Sequence, residues 1–188
     1  SIVEALKEKG KSIFLDLKLY DIPNTVAGAV RSAVDLGVDL LTVHTVGGET
    51  MMAAAAEASA GSVSLLGVTV LTSMTSEEVE SIWDRPVESL QKEILRLGLQ
   101  AKKTGLAGVV ASPGEAKMLK ISLGKDFLVV TPGIRLAGQD THDQARVSTP
   151  LGAAKAGADY LVVGRSITQS ENPSSTLHQL IEDISRKV

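Results

Sequence analysis

The sequence predicts an α/β fold assembled from βα units, a (β/α)8 barrel of the TIM type that lacks its first two units in this chain. Three observations lead there. One strand–helix plan recurs along the chain, in "AVDLGVDLLTVHT" (33–45), "AKKTGLAGVVASP" (101–113) and "AAKAGADYLVVGR" (153–165). Chemically unusual residues gather where the apolar runs end, at Asp16 and Lys18, His44, Thr72, Ser112, Thr131-Pro132-Gly133 and Gly164-Arg165. In a barrel such ends share one mouth. No G-x-G-x-x-G turn follows the first strand, which argues against an open dinucleotide-binding sheet.

Each copy of the plan has an alanine, a glycine four residues on, and then an apolar run. This reads as the last turn of a helix, a residue free to adopt the left-handed helix-ending conformation, and a buried strand. The near-continuous apolar runs suit a parallel sheet covered on both faces. Six strands are predicted, at about 12–19, 40–45, 64–72, 108–113, 127–133 and 160–165. Helical patterns lie near 25–37, 48–60, 86–104, 114–122, 149–157 and 174–187, the last with Ser174 as its cap. "SIVEALKEKGK" at the start reads as an amphipathic helix and not as a signal peptide. "MMAAAAEA" (51–58) reads as a helix whose small residues pack close to a sheet. With eight strands needed for closure, residues 1–188 are expected to be one barrel domain comprising the C-terminal six βα units.

Composition narrows the function classes. Hydrophobic residues make up 44% of the chain and aromatic residues 3%, with 17 glycines, a mix that suits a globular α/β protein. A formal net charge of −3 gives no electrostatic case for nucleic acid or an anionic membrane. The absence of cysteine removes disulfides, thiol nucleophiles and thiolate metal sites. No apolar run approaches the roughly 20 residues of a membrane span, and a cytoplasmic protein is the expectation. His44, His142 and His178 share no ligand spacing, so no metal site is expected.

The charged stretch "FLDLKLYDIPNT" (14–25) carries the chemistry. Asp16 and Lys18 are two residues apart on a strand and are expected on one face, with Asp21 just past the strand end. A structural ion pair needs one acid; here one lysine has two within a few residues. Two carboxylates hold the lysine in its charged form, giving a fixed ammonium able to deliver a proton to a carbanion. Pro23 ends the strand, and Asn24 or Thr25 is expected to cap the following helix. A second constellation lies in "TPGIR" (131–135) and "VVGRSIT" (162–168). The last two strand ends of a barrel are its common phosphate site. Gly133 and Gly164 allow close backbone approach, and Arg165 offers a bidentate contact to a phosphate; Gln144 lies in a polar loop that reads first as solvated and second as the source of an amide donor.

"FLDLKLYDIPNTV" resembles the D-x-K-x-x-D-I-P-x-T signature of the orotidine 5′-phosphate decarboxylase family, and "VHTVGG" (43–48), "VTVLTS" (68–73), "VTPGIR" (130–135) and "VVGRSIT" look like its later strand ends. The resemblance implies decarboxylation of orotidine 5′-phosphate to UMP, without metal or organic cofactor. It makes Lys18 the donor of a proton to C6 of the pyrimidine and puts Asp16 beside the substrate carboxylate. It sends Asp21 and Thr25 into the site of a neighbouring subunit, hence a homodimer with active sites at its interface. It sets Thr72 against the pyrimidine and Arg135, Gln144, Gly164 and Arg165 around the phosphate. The family's first strand, with a ribose-binding aspartate, and its second, with a further lysine, are the two units not seen here. The alternatives are a sister sugar-phosphate decarboxylase or aldolase, of the 3-keto-gulonate 6-phosphate or hexulose 6-phosphate type and using Mg²⁺, or a non-catalytic phosphate-binding fragment.

Overall fold

A computed structural model describes residues 1–135 and 148–185. Helix α1 (Ile2–Glu8) leads, followed by β1 (Phe14–Leu19), α2 (Pro23–Asp35), β2 (Leu40–His44), a 3-10 turn (Thr45–Gly47), α3 (Gly48–Ser59) and β3 (Ser64–Val68). Then come α4 (Ser76–Trp83), α5 (Leu90–Lys103), β4 (Gly108–Val110), α6 (Pro113–Leu123), β5 (Leu128–Thr131), α7 (Pro150–Lys155), β6 (Tyr160–Leu161), α8 (Arg165–Thr168) and α9 (Pro173–Ser185). The chain folds as two compact units, Ser1–Thr69 with Arg96–Val109, and Val70–Leu95 with Val110–Val188. In the first, β1, β2 and β3 are parallel and adjacent in chain order, and the Ala107 N–H donates to the Leu65 carbonyl as β4 begins. In the second, β5 and β6 are parallel, and the Ala111 N–H donates to the Val130 carbonyl.

The recurring alanine–glycine plan is a helix-ending device. Gly37, Gly105 and Gly157 have φ of 66°, 89° and 96°, a region that costs other residues about 1–2 kcal/mol. After each glycine the next amide returns to the repeat's alanine: Val38 to Ala33, Leu106 to Ala101 and Ala158 to Ala153. The glycine amides themselves reach Val34, Lys102 and Ala154. This is the double bond pattern of a Schellman cap, and the three alanines are buried beneath it.

In the first and third copies an aspartate follows two residues after the glycine. Asp39 accepts the Ile13 N–H at 2.6 Å and Asp159 accepts the Val129 N–H at 2.7 Å. Each clips its strand to the start of the preceding one, and each pairs with a lysine, Lys7 at 3.5 Å and Lys120 at 2.6 Å. The Ile13 amide holds the Asp39 carboxyl below the usual carboxylate range.

Each unit has its own core. Val26 and Val30 of α2, Leu41 and Val43 of β2, Met51 and Met52 of α3 and Leu65 and Leu66 of β3 fill the first. Leu119 and Leu123 of α6, Val129 and Val130 of β5, Ile134 and Ala153 fill the second.

Several boundaries differ from the expectation for local reasons. The strand expected to reach Thr72 stops at Val68, and Thr72 lies in a turn region beyond it. The helix expected at 86–104 starts only at Leu90, as α5, and a further helix, α4, precedes it where none was expected. Helix α4 starts at a capping box in which Thr75 and Glu78 satisfy each other's amides. Helix α9 is capped by Asn172, whose side chain accepts the Ser175 N–H at 3.0 Å, and not by Ser174. Helix α2 begins with Pro23 in its first position, where no N–H is missed. Asn24 and Thr25 therefore lie inside its first turn and do not cap it.

Candidate functional site

In the first unit the charged cluster forms at β1. The Lys18 ammonium donates to Asp16 Oδ2 at 2.5 Å. Simple strand alternation does not bring the two side chains together. Lys18 has φ 51°, in the left-handed region, which costs a non-glycine residue about 1–2 kcal/mol. The β1–β2 register jumps there, with Leu15 opposite Leu41 but Leu19 opposite Val43. Two extra residues of β1 thus bulge outward, as bulges do when they re-aim a side chain.

Sequence reasoning missed the residue that faces this bulge. The buried Thr42 of β2 donates its hydroxyl to Asp16 Oδ1 at 2.8 Å, and its oxygen accepts the Lys18 backbone N–H at 2.8 Å. The pair it organises is not buried: the Asp16 and Lys18 side chains are 45% and 42% exposed. Strand β1 is half-exposed rather than covered on both faces. An exposed pair of this kind adds at most about 1 kcal/mol of stability.

Asp21 does not join Lys18; its carboxylate accepts the Ile22 N–H at 2.7 Å at the entrance to α2. Thr25 is exposed one turn further on. His44, ending β2, packs against the Tyr20 ring at 5.9 Å between centroids, and its Nδ1 is buried without a hydrogen-bond partner. Burial, and then the Lys18 ammonium, push its pKa below the ordinary histidine value against the opposing pull of Asp16. The ring is therefore neutral at pH 7.

In the second unit the two glycine turns meet. Gly133 has φ 79°, so a glycine is required for the turn that follows β5. The Ser166 hydroxyl donates to the Ile134 carbonyl at 3.4 Å, and Arg135 Nη1 donates to the same oxygen at 2.9 Å. The Arg135 amide donates to the Ser148 carbonyl and the Ser148 amide to that of Gly133, closing the turn. Arg135 is thus buried in support of the turn, whereas Arg165 is only partly buried. A Cβ added at Gly164 would meet nothing within 4 Å. Ser166 is a second residue the sequence reasoning passed over. Gln144 and His142 lie outside the described residues.

Among the described residues, no group of three or more histidine, aspartate or glutamate side chains is placed to hold a metal ion. No described helix is long and apolar enough to cross a membrane.

The comparisons agree with one another. The family model described as Orotidine 5'-phosphate decarboxylase / HUMPS family matches residues 1–180. The orotidine 5′-phosphate decarboxylase of Aliivibrio fischeri is 49% identical over 182 residues, covering 95% of this chain and 77% of the relative. That of Sodalis glossinidius is 47% identical over 188 residues, covering 98% of this chain and 74% of the relative. Among solved structures, the orotidine 5′-phosphate decarboxylase of Lactobacillus acidophilus superposes with a TM-score of 0.84 at 34% identity, over 97% of this chain and 80% of its own. The Pyrococcus horikoshii enzyme gives 0.74 at 26% identity, over 98% and 79%. The chain is α/β as expected, and it is shorter than the proteins it matches.

Proposed function

This chain belongs to the orotidine 5′-phosphate decarboxylase / HUMPS family, and on that premise we propose that it is a carboxy-lyase converting orotidine 5′-phosphate to UMP in pyrimidine biosynthesis. The observation that carries the proposal is the Asp16–Lys18 pair: an ammonium held at 2.5 Å by a carboxylate, on a bulged strand, and still open to a ligand. The sugar-phosphate alternative is not favoured, since the curated relatives of nearly half-identical sequence are orotidine 5′-phosphate decarboxylases.

In the reaction the bond from C6 to the carboxylate breaks, CO₂ departs, and its electron pair stays on C6. The Lys18 ammonium stabilises that developing charge where it forms and then transfers a proton to C6. Neutral Lys18 regains a proton from water. Asp16 fixes the ammonium and sets a like charge beside the substrate carboxylate. Thr72 contacts the pyrimidine. Gly133, Gly164, Arg165 and Gln144 hold the phosphate, and Arg135 braces the turn from behind. The direct test is loss of the orotidine 5′-phosphate absorbance with stoichiometric UMP, expected to persist after EDTA treatment; turnover restored only by Mg²⁺ would move the assignment to the sugar-phosphate branch.

The phosphate assignment is tested separately. Arg165→Ala is expected to weaken UMP binding by about 1.5–3 kcal/mol, the usual worth of a hydrogen bond to a charged group, or roughly 10- to 150-fold. Uridine, which lacks the phosphate, should bind the variant and the parent alike. An equal loss for both ligands would assign Arg165 to structure.

A homodimer is proposed on the exposed apolar side chains around Asp21. Leu17, Tyr20 and Ile22 are 55%, 64% and 67% exposed, more apolar surface than one short segment normally leaves in water. A second copy covering it would receive Asp21 and Thr25. Ile22→Glu should then give a monomer by sedimentation with turnover lost; a parent that sediments as a monomer at assay concentration rejects the dimer.

A further inference from the structure

We infer that Thr42 is a positioning residue for the decarboxylation, holding Lys18 by its backbone and Asp16 by its carboxylate so that the ammonium is aimed. The inference rests on the decarboxylase reading above.

A buried threonine on a parallel strand is ordinarily there for its shape, with its hydroxyl returned to a nearby carbonyl. Thr45, the next buried threonine along, does this: its hydroxyl donates to the Val68 carbonyl at 2.8 Å. Thr42 does something else. Its hydroxyl hydrogen goes to Asp16 Oδ1 at 2.8 Å, and its oxygen lone pair receives the Lys18 N–H at 2.8 Å. Both partners lie 24 or more positions away in sequence, and both belong to the charged pair.

The bulge explains why a side chain is needed. Between Leu15–Leu41 and Leu19–Val43 the ladder has no regular pairing for β1. An amide left in that gap needs an acceptor, and the Thr42 oxygen takes the place of the missing backbone carbonyl for Lys18. The same contact holds a non-glycine residue at φ 51°, a conformation that persists only where the surroundings over-determine it.

The result is a closed ring. It runs from the Thr42 oxygen to Asp16, from the other Asp16 oxygen to the Lys18 ammonium, along the lysine side chain to its amide, and back to Thr42. A lysine has a long flexible stem, and an exposed one samples many rotamers. Fixing both its amide and its ammonium through the same threonine and aspartate removes that freedom before the substrate binds. Thr42 needs no contact with the substrate for this; it acts through Lys18 and Asp16.

The decisive variants are Thr42→Val, which keeps the shape and removes the hydroxyl, and Thr42→Ser, which keeps the hydroxyl. Two readouts are taken on each in the full chain: kcat and KM for orotidine 5′-phosphate, and hydrogen exchange at the Lys18 amide. Thr42→Val is expected to lower kcat by about 10- to 100-fold, the scale set by a misplacement near 1 Å, with KM changed less than about threefold. Its Lys18 amide should exchange faster. Thr42→Ser should recover most of the kcat and the slow exchange. A Thr42→Val enzyme with parental kcat overturns the inference, as does a Thr42→Ser enzyme that falls as far as Thr42→Val, since shape and not the hydroxyl would then matter. If the parent itself does not turn over orotidine 5′-phosphate, the decarboxylase reading fails. The exchange measurement still decides the clamp: unchanged Lys18 exchange in Thr42→Val rejects it.

Discussion

Replacing Lys18 by alanine is expected to abolish UMP formation while leaving the protein folded. Two catalytic contributions leave together. General acid catalysis by a placed group is worth about 10²–10⁴-fold, and a preorganised charge at a developing anion about 10²–10³-fold. If they act on the same transition state, kcat should fall by about 10⁴-fold or more. The stability change should be small by contrast. Lys18 and Asp16 are both more than 40% exposed, and exposed pairs contribute at most about 1 kcal/mol. The left-handed backbone supplies an internal control. Alanine at position 18 keeps the strain of φ 51°, whereas glycine releases about 1–2 kcal/mol of it. Lys18→Gly should therefore melt no lower than Lys18→Ala and be just as inactive. A folded alanine variant that retains near-parental turnover refutes the assignment of Lys18 as the proton donor. A glycine variant that is both active and more stable refutes that assignment equally, since the lysine would then serve neither the chemistry nor the backbone.

How much of this was legible in the sequence depends on the range of the interactions involved. The βα plan was readable because its signal is local: an alanine, a glycine four residues on and an apolar run are a complete Schellman cap and strand, and all three glycines have positive φ. The aspartates that follow Gly37 and Gly157 were in view too, but their partners, the Ile13 and Val129 amides, are 26 and 30 residues away. The meeting of Asp16 with Lys18 was expected for a reason that proved incomplete. Alternation assumes extended backbone, and nothing in "DLKL" announces a left-handed lysine, since no glycine marks it. Thr42 was hidden for the same reason: its part appears only once the β1–β2 register and its jump are known. In the second unit the turns at Gly133 and Gly164 were each visible as glycine motifs. Their connection through Ser166 and the Ile134 carbonyl was not, because it spans 32 residues. Helix α4 is a different case. Its Thr75-x-x-Glu78 capping box is a local signal, and it was present in the sequence without being used.

Asp16 separates charge from hydrogen bonding, and two substitutions at it should behave differently. Asp16→Ala removes the acceptor for the Thr42 hydroxyl as well as the partner of the Lys18 ammonium. Thr42 is fully buried, so its unmet donor should cost about 1–3 kcal/mol, visible as a lower melting temperature. Asp16→Asn keeps an oxygen for Thr42 to donate to, so its melting temperature should stay near the parent's. It nevertheless sets an uncharged amide, with two N–H donors of its own, where the carboxylate held the ammonium. The lysine then has no anion to fix it, and the substrate carboxylate has no like charge beside it. Both variants are expected to lose about 10²–10³-fold in kcat, the scale of one preorganised electrostatic contact. Only the alanine variant should lose stability as well. Activity that follows stability across the two, with Asp16→Asn near the parent in both, would show that Asp16 serves the ring of hydrogen bonds and that its charge takes no part in the decarboxylation.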